Sequence, residues 1–157
     1  MRRLLLIIAL ACGCNEVNGG ADSALAPVPN TPSTLVVEVG TGESDWMPLR
    51  DGDTVSMIAG PQGGFHVWTA IRIMDSSVDS ARINLTSRLE ATGEPAGNPS
   101  SVATTLTLTS DGAREHVGMR NFIADPTQVR GRRVALRVEA IAPDGRHGAG
   151  EHVVLLQ

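Results

Sequence analysis

One short segment brings together three side chains that could bind a ligand: His66, Trp68 and Arg72, in the sequence GPQGGFHVWTAIRI at residues 60–73. Because they are an even number of residues apart, these side chains would project from one face of a strand. An exposed tryptophan flanked by polar groups is typical of interaction surfaces. Sandwich domains also bury a tryptophan on a central strand. The pattern therefore predicts an interaction patch or, alternatively, a covered Trp68.

The remaining residues that could hold a metal or phosphate are sparse. The glycine-rich turn at residues 60–64 precedes a predicted strand and lacks the lysine of a phosphate loop. No two histidines have the close spacing that advertises a zinc or copper site, so we expect no metal and no cofactor. Copper or zinc handling stays an alternative that requires His66 to approach a second histidine. The four histidines are His66, His116, His147 and His152.

Neither catalysis nor nucleic-acid binding has a clear sequence signal. The chain contains no Gly-x-Ser-x-Gly motif, and we predict no catalytic residue. Carboxylates on different loops could still converge in the folded chain, so an envelope hydrolase stays an alternative. The net charge is −4, whereas nucleic-acid binding depends on clustered basic residues that neutralise phosphates. We therefore expect no nucleic-acid partner.

The first fourteen residues, MRRLLLIIALACGC, have the layout of an export signal: two arginines, an apolar run and then small residues. The apolar run is too short to cross a membrane as a helix. Both cysteines of the chain, Cys12 and Cys14, lie at its end. Here the chain resembles bacterial lipoprotein precursors, which are cut before a cysteine that becomes lipid-modified. An ordinary secretory signal with two incidental cysteines is the other interpretation.

Cys14 is the predicted lipidation site, because cleavage before Cys12 would leave a very short apolar run; Cys12 is the alternative. The resemblance implies an exported protein that is held at a membrane of the cell envelope by its N-terminal lipid. The sequence is therefore predicted to divide into three segments: a signal peptide at residues 1–13, a flexible tether rich in Gly, Ala, Pro, Asn and Ser at 14–33, and one folded domain at 34–157.

Period-two alternation of apolar residues is the main secondary-structure signal in the folded domain. Residues 81–89 and 133–142 alternate between apolar and polar side chains, which indicates strands with one buried face. Residues 102–109 show the same pattern, with Val102, Leu106 and Leu108 on the predicted inner face. Asp144-Gly145 predicts a tight hairpin between the last two strands.

About eight strands are predicted, and no segment has a helical stripe of ten or more residues. Short strands separated by Gly, Pro, Asp and Asn favour an all-β sandwich of seven to nine strands. In strand number and spacing the domain is similar to immunoglobulin-like and fibronectin type III-like modules. The predicted strands lie near residues 34–40, 53–59, 65–74, 81–89, 102–109, 116–123, 133–142 and 150–156.

Three segments also resemble exported lipoproteins of GC-rich bacteria to which no activity is assigned: VEVGTGE (37–43), GPQGGFHVW (60–68) and VALRVEAIAPDG (134–145). The resemblance implies export and a β-rich domain. The sequence as a whole predicts a lipid-anchored, non-catalytic binding or structural module of the cell envelope. Its expected partners are other envelope proteins or polysaccharide.

Overall fold

The computed structural model describes residues 34–61 and 63–157. These residues form eleven strands and one short helix, so the all-β prediction is confirmed. The elements are β1 (Val37–Thr41), β2 (Met47–Pro48), β3 (Thr54–Val55), β4 (Ile58–Ala59), β5 (Phe65–Ile73), β6 (Ser80–Leu89), β7 (Ser100–Thr105), β8 (Thr107–Leu108), β9 (Arg114–Ile123), α1 (Pro126–Val129), β10 (Arg133–Ile141) and β11 (His147–Leu156).

The strands form two sheets. The first has the order β2-β1-β5-β9-β8, with β4 also paired to β5, and the second has the order β3-β11-β10-β6-β7. If β1, β5 and β6 are strands A, B and C, the first sheet has the A-B-E-D order and the second the C′-C-F-G order of immunoglobulin-like sandwiches. The topology therefore agrees with the immunoglobulin-like prediction.

The core lies between the inner faces of the two sheets. The predicted inner face of β10 is completely buried at Val134, Leu136, Val138 and Ala140. On the first sheet the odd-numbered residues of β5, from Val67 to Ile73, are buried. Each large apolar side chain that is removed from water in this way contributes about 1.5–3 kcal/mol.

The predicted hairpin at Asp144-Gly145 is also confirmed. The pairing of β10 with β11 extends to Ile141 and His147 at the turn. The turn is closed by the Ala142 N–H, which donates to the Arg146 carbonyl over 2.8 Å. Gly145 has a φ of +88°, which is accessible to glycine at little cost.

Two predicted strands are corrected by the structure. Residues 102–109 do not form one half-buried strand: β7 belongs to the second sheet and β8 to the first. Only Leu106, at the crossing, is buried, whereas Val102 is 38% exposed and Leu108 is 53% exposed. The predicted strand at 53–59 likewise divides into β3 and β4 in different sheets. Alternation assigns one buried face only while the chain stays in one sheet.

The predicted signal peptide and tether, including Cys12 and Cys14, lie outside the described residues. Within residues 34–61 and 63–157, no helix is both long and apolar enough to span a membrane.

Candidate functional site

The glycine-rich turn and the start of β5 form one edge of the candidate site. The turn is closed by the Gly60 N–H, which donates to the Gly64 carbonyl over 2.7 Å. Gly63 has a φ of +84°, so this tight turn suits glycine there. The turn places β4 beside β5 with Ile58 opposite His66. The described residues of this turn therefore border the outer face of the first sheet.

His66 lies in the middle of a cross-strand row, between Ile58 of β4 and Phe122 of β9. It is only 5% exposed, although its place on the outer face led us to expect a solvent-facing side chain. The ring of Trp68 packs edge-on against the imidazole, with ring centroids 4.6 Å apart. The row and Trp68 together explain why a histidine on the outer face is buried.

Burial has an electrostatic consequence for His66. Desolvation, reinforced by the positive charge of Arg120, lowers the pKa of His66 below its ordinary value, while Glu43 opposes this shift to a smaller extent. The imidazole is therefore neutral at pH 7. Its Nε2 atom is buried and has no hydrogen-bond partner in the described part of the chain. A buried polar atom without a partner costs about 1–3 kcal/mol and calls for an explanation.

Trp68 and Arg120 form the next cross-strand pair. Trp68 is half-buried, and the Arg120 Cζ atom lies 5.5 Å from the centre of the tryptophan ring, a distance typical of a cation–π contact. The Arg120 side chain is exposed, and no carboxylate among the described residues lies within ion-pair distance of it. Its position is thus set by an aromatic ring and not by an acidic partner.

A cleft of about 350 Å³, which we call the His66 cleft, lies between the turn and the side chains of His66, Arg120 and Phe122. It combines a guanidinium without an ion-pair partner among the described residues, one neutral imidazole and the ring of Phe122, which is 44% exposed. A concave, partly apolar surface with few polar groups is typical of sites for small ligands. The cleft is lined by Gly60, Pro61, Gly64, His66, Arg120 and Phe122.

Arg72, the third residue of the predicted patch, belongs to a separate group that we call the Arg72 cluster: Arg72, Trp46, Glu115 and Asp111. The Arg72 Nε donates to the Glu115 carboxylate over 2.6 Å, and its Nη1 atom lies 3.5 Å from Asp111. The Arg72 Cζ atom lies 4.7 Å from the centre of the Trp46 ring. The structure thus brings His66 and Trp68 together and engages Arg72 elsewhere.

A β-bulge in β9 lies between the two groups. Thr69 pairs with Met119 and Ile71 with His116, so β9 has one more residue than β5 in this interval. Gly118 is in the bulge, with a φ of +74°, and its N–H donates to the Gly42 carbonyl over 3.1 Å. The loop after β1 is therefore hydrogen-bonded to β9 between the His66 cleft and the Arg72 cluster.

Sequence reasoning missed Arg120 and Phe122 as site residues. In β9 the buried residues Met119, Asn121 and Ile123 alternate with the exposed Arg120 and Phe122. The sequence does not show this alternation, because a polar residue is buried and an aromatic residue is exposed, and it does not show which residues of β5 lie beside them. That neighbourhood depends on the register between the two strands.

Two of the remaining histidines, His116 and His152, make their own side-chain contacts. His116 is hydrogen-bonded to Thr104 and His152 to Asp51, whereas His66 contacts the rings of Trp68 and Phe122. No group of three or more potential metal ligands occurs within residues 34–61 and 63–157. These contacts do not favour the copper or zinc alternative.

Among the described residues, carboxylates converge at the Arg72 cluster and also around Arg146, which contacts both Asp75 and Asp144. The hydroxyl and backbone N–H of Ser77 lower the pKa of Asp75, and the backbone N–H of Arg146 lowers that of Asp144. A general acid at neutral pH needs a raised pKa. This pair therefore does not favour the hydrolase alternative.

Comparison with known proteins gives only distant likenesses. No protein-family model matches the chain, and no curated protein matches it by sequence. Among solved structures, the chain is similar to the CooA pilin subunit from enterotoxigenic Escherichia coli, with a TM-score of 0.38, 13% identity, and 76% of this chain and 97% of that chain covered. It is also similar to a DUF4466 family protein from Parabacteroides merdae, with a TM-score of 0.36, 12% identity, and 76% and 43% covered. Because both likenesses are weak, we draw no functional conclusion from them.

Proposed function

We propose that this protein is a non-catalytic binding module of the cell envelope, lipid-anchored at Cys14, whose binding site is the His66 cleft. The observation that carries the proposal is Arg120: an exposed arginine beside two aromatic rings that lacks an acidic partner within the described residues. Arginine and tryptophan are enriched among residues that dominate binding energy. The side chains around Arg120 leave its guanidinium available to a ligand.

Stability does not explain the composition of this site. A protein that needed only a packed sheet surface would be more stable with an apolar residue in place of His66, because the buried Nε2 atom lacks a partner within residues 34–61 and 63–157. Natural proteins break such rules most often where function requires it. Thr69, Ser87 and Asn121 also have buried polar atoms without a partner among the described residues, so the unsatisfied histidine supports a binding role for the cleft only together with Arg120.

The binding role is tested with the full chain carrying Cys14→Ser, so that the lipid does not hold the protein to membranes. Isolated envelope fragments are sedimented with this protein and with versions that also carry Arg120→Gln or Arg82→Gln. Arg82 is an exposed arginine of β6 in the other sheet, so its replacement changes the net charge equally. We expect co-sedimentation to fall about tenfold for Arg120→Gln only. Equal retention of all three proteins would refute the cleft as the binding site.

The anchor is tested separately, by membrane fractionation of cells that produce the wild-type chain or Cys14→Ser. Acyl chains contribute about 0.8 kcal/mol per buried methylene, so a multiply acylated cysteine holds a domain firmly at a membrane. We expect the wild-type chain in the membrane fraction and Cys14→Ser in the soluble fraction. Cys12→Ser is the matched control and should stay with the membrane. If Cys14→Ser fractionates like the wild-type chain, lipidation at Cys14 is ruled out.

A further inference from the structure

We infer that the His66 cleft binds a sugar unit that carries one carboxylate, and thus that the module recognises an acidic polysaccharide. This inference rests on the proposed binding role and names its ligand class. It follows from the size of the cleft, from the number and kind of its charges, and from the placement of its aromatic rings.

The size of the cleft favours a small ligand. Its volume of about 350 Å³ is near the lower limit for ligand sites in proteins. A stable protein partner usually buries about 800 Å² on each side. Among large apolar residues at this end of the face, the exposed ones are Phe122 and Ile58, at 44% and 39%. A cleft with so little apolar surface suits one sugar unit better than a protein surface.

The charges of the cleft favour a single carboxylate. The planar guanidinium of Arg120 has a fork of N–H donors that matches the two oxygens of a carboxylate. Because His66 is buried and neutral, the described residues that line the cleft offer one positive charge, that of Arg120. Glu43 is the acidic residue whose charge partly offsets the lowering of the His66 pKa. It forms no ion pair with Arg120 within the described residues. A ligand with several charges on each unit would find too few partners.

The aromatic rings favour a ring-shaped ligand with apolar C–H groups. The exposed ring of Phe122 lines the cleft. Beside it, the Arg120 guanidinium lies 5.5 Å from the centre of the Trp68 ring. A pyranose has an apolar face of C–H groups and polar edges, so it can pack on Phe122 while its carboxylate meets Arg120. Rigid aromatic side chains lose little conformational entropy in such contacts, which favours weak but selective binding.

Trigalacturonate and its methyl ester are the probes that test this inference, because they share a sugar backbone and differ in charge. Calorimetric titration uses the full chain extracted in mild detergent. We expect trigalacturonate to bind at least tenfold more tightly than the ester. Arg120→Gln should lose about tenfold in affinity for trigalacturonate, and Phe122→Ala should lose several-fold. Both residues are exposed, so thermal melting is expected to show that the variants fold.

Arg82→Gln is again the matched control and should bind trigalacturonate like the wild-type chain. The inference is overturned if the acid and its ester bind equally, if trigalacturonate does not bind, or if Arg82→Gln loses affinity while Arg120→Gln does not. Failure of the ligand class can be separated from failure of the binding role. If Arg120→Gln releases the protein from envelope fragments although trigalacturonate does not bind, the role stands and the acidic sugar is wrong.

Discussion

The outer face of the first sheet contains two tryptophan–arginine pairs that differ in what surrounds the arginine. At one end, Arg120 lies 5.5 Å from the centre of Trp68, and at the other, Arg72 lies 4.7 Å from the centre of Trp46. Arg72 also contacts Glu115 and Asp111, whereas Arg120 has no acidic partner in the described part of the chain. The same two residue types therefore occur once in a closed cluster and once beside an open cleft.

The two pairs consist of the same residue types and differ in the carboxylates around the arginine. Those carboxylates therefore distinguish a structural pair from a candidate binding pair. Arg72 and Glu115 are both largely shielded from water, with side chains 23% and 17% exposed, so their contact contributes to stability. An arginine without such a partner contributes little to the fold and is available to an external anion. The following changes test this difference, in order of decreasing expected effect.

Gly118→Ala should have the largest effect, because Gly118 lies in the bulge between the two pairs. A Cβ atom there would come within 2.6 Å of the Glu43 carbonyl oxygen, in addition to the strain of a φ of +74°. We expect a loss of about 3 kcal/mol in the free energy of unfolding, measured by urea denaturation. Gly131→Ala is the matched control, with a φ of +71° and nothing within 4 Å of the added Cβ, and should cost about 1 kcal/mol. Equal losses would show that the contact with the loop after β1 does not matter.

Arg72→Gln and Arg120→Gln compare the two pairs directly. Removing the Arg72 charge leaves the mostly shielded Glu115 carboxylate without its partner, so we expect a loss of about 1–2 kcal/mol in the free energy of unfolding. Arg120→Gln should change this free energy by less than about 0.5 kcal/mol. Chemical denaturation of both variants beside the wild-type chain measures the difference. Similar losses would contradict the distinction between a structural and a free arginine.

His66→Phe should stabilise the fold by about 1 kcal/mol, because it keeps an aromatic ring against Trp68 and removes the buried nitrogen that has no partner. Thermal unfolding measures the effect, and the same variant should bind the trigalacturonate probe more weakly. Thr69→Val, which removes the other buried unpartnered group of β5, is a control for stabilisation without any change in the cleft. A destabilised His66→Phe would indicate that the imidazole makes a favourable contact in the folded chain.

The pH dependence of stability gives the smallest predicted effect. Because burial lowers the pKa of His66 in the folded chain, the unfolded chain takes up a proton first as the pH falls. Protonation of His66 therefore costs no stability above the ordinary histidine pKa of 6.5, and the free energy of unfolding decreases as the pH falls below it. Denaturation at pH 7.5 and pH 5.5 should show a smaller decrease for His66→Phe than for the wild-type chain. The same decrease in both would place the titrating group elsewhere.

Much of the fold could be predicted from the sequence, because alternation is a local property of a strand. The inner faces of β6 and β10 were predicted correctly from Ala81 to Leu85 and from Val134 to Ala140. The prediction was wrong where the chain changes sheets, at Leu106 between β7 and β8. A crossing of this kind does not alter the apolar pattern, so the pattern does not reveal it.

The candidate site was predicted in part. His66 and Trp68 were identified together, since both lie on the even-numbered face of β5, but Arg72 was assigned to the same patch and is engaged by Glu115 instead. Arg120 and Phe122 were missed because they come from β9, which is far away in the sequence. Residues on one strand can be grouped by their spacing, whereas residues on neighbouring strands can be grouped only when the register is known.

The sequence by itself determined the faces of β6 and β10, the hairpin at Asp144-Gly145 and the presence of a histidine and a tryptophan on one strand. Only the tertiary structure decided that Arg120 lies beside Trp68, that Arg72 is paired with Glu115, and that His66 is buried on an outer face. The physical reason is that backbone alternation acts within a strand, while burial and charge pairing act between strands. A single extra residue in the β9 bulge is enough to change which side chains meet.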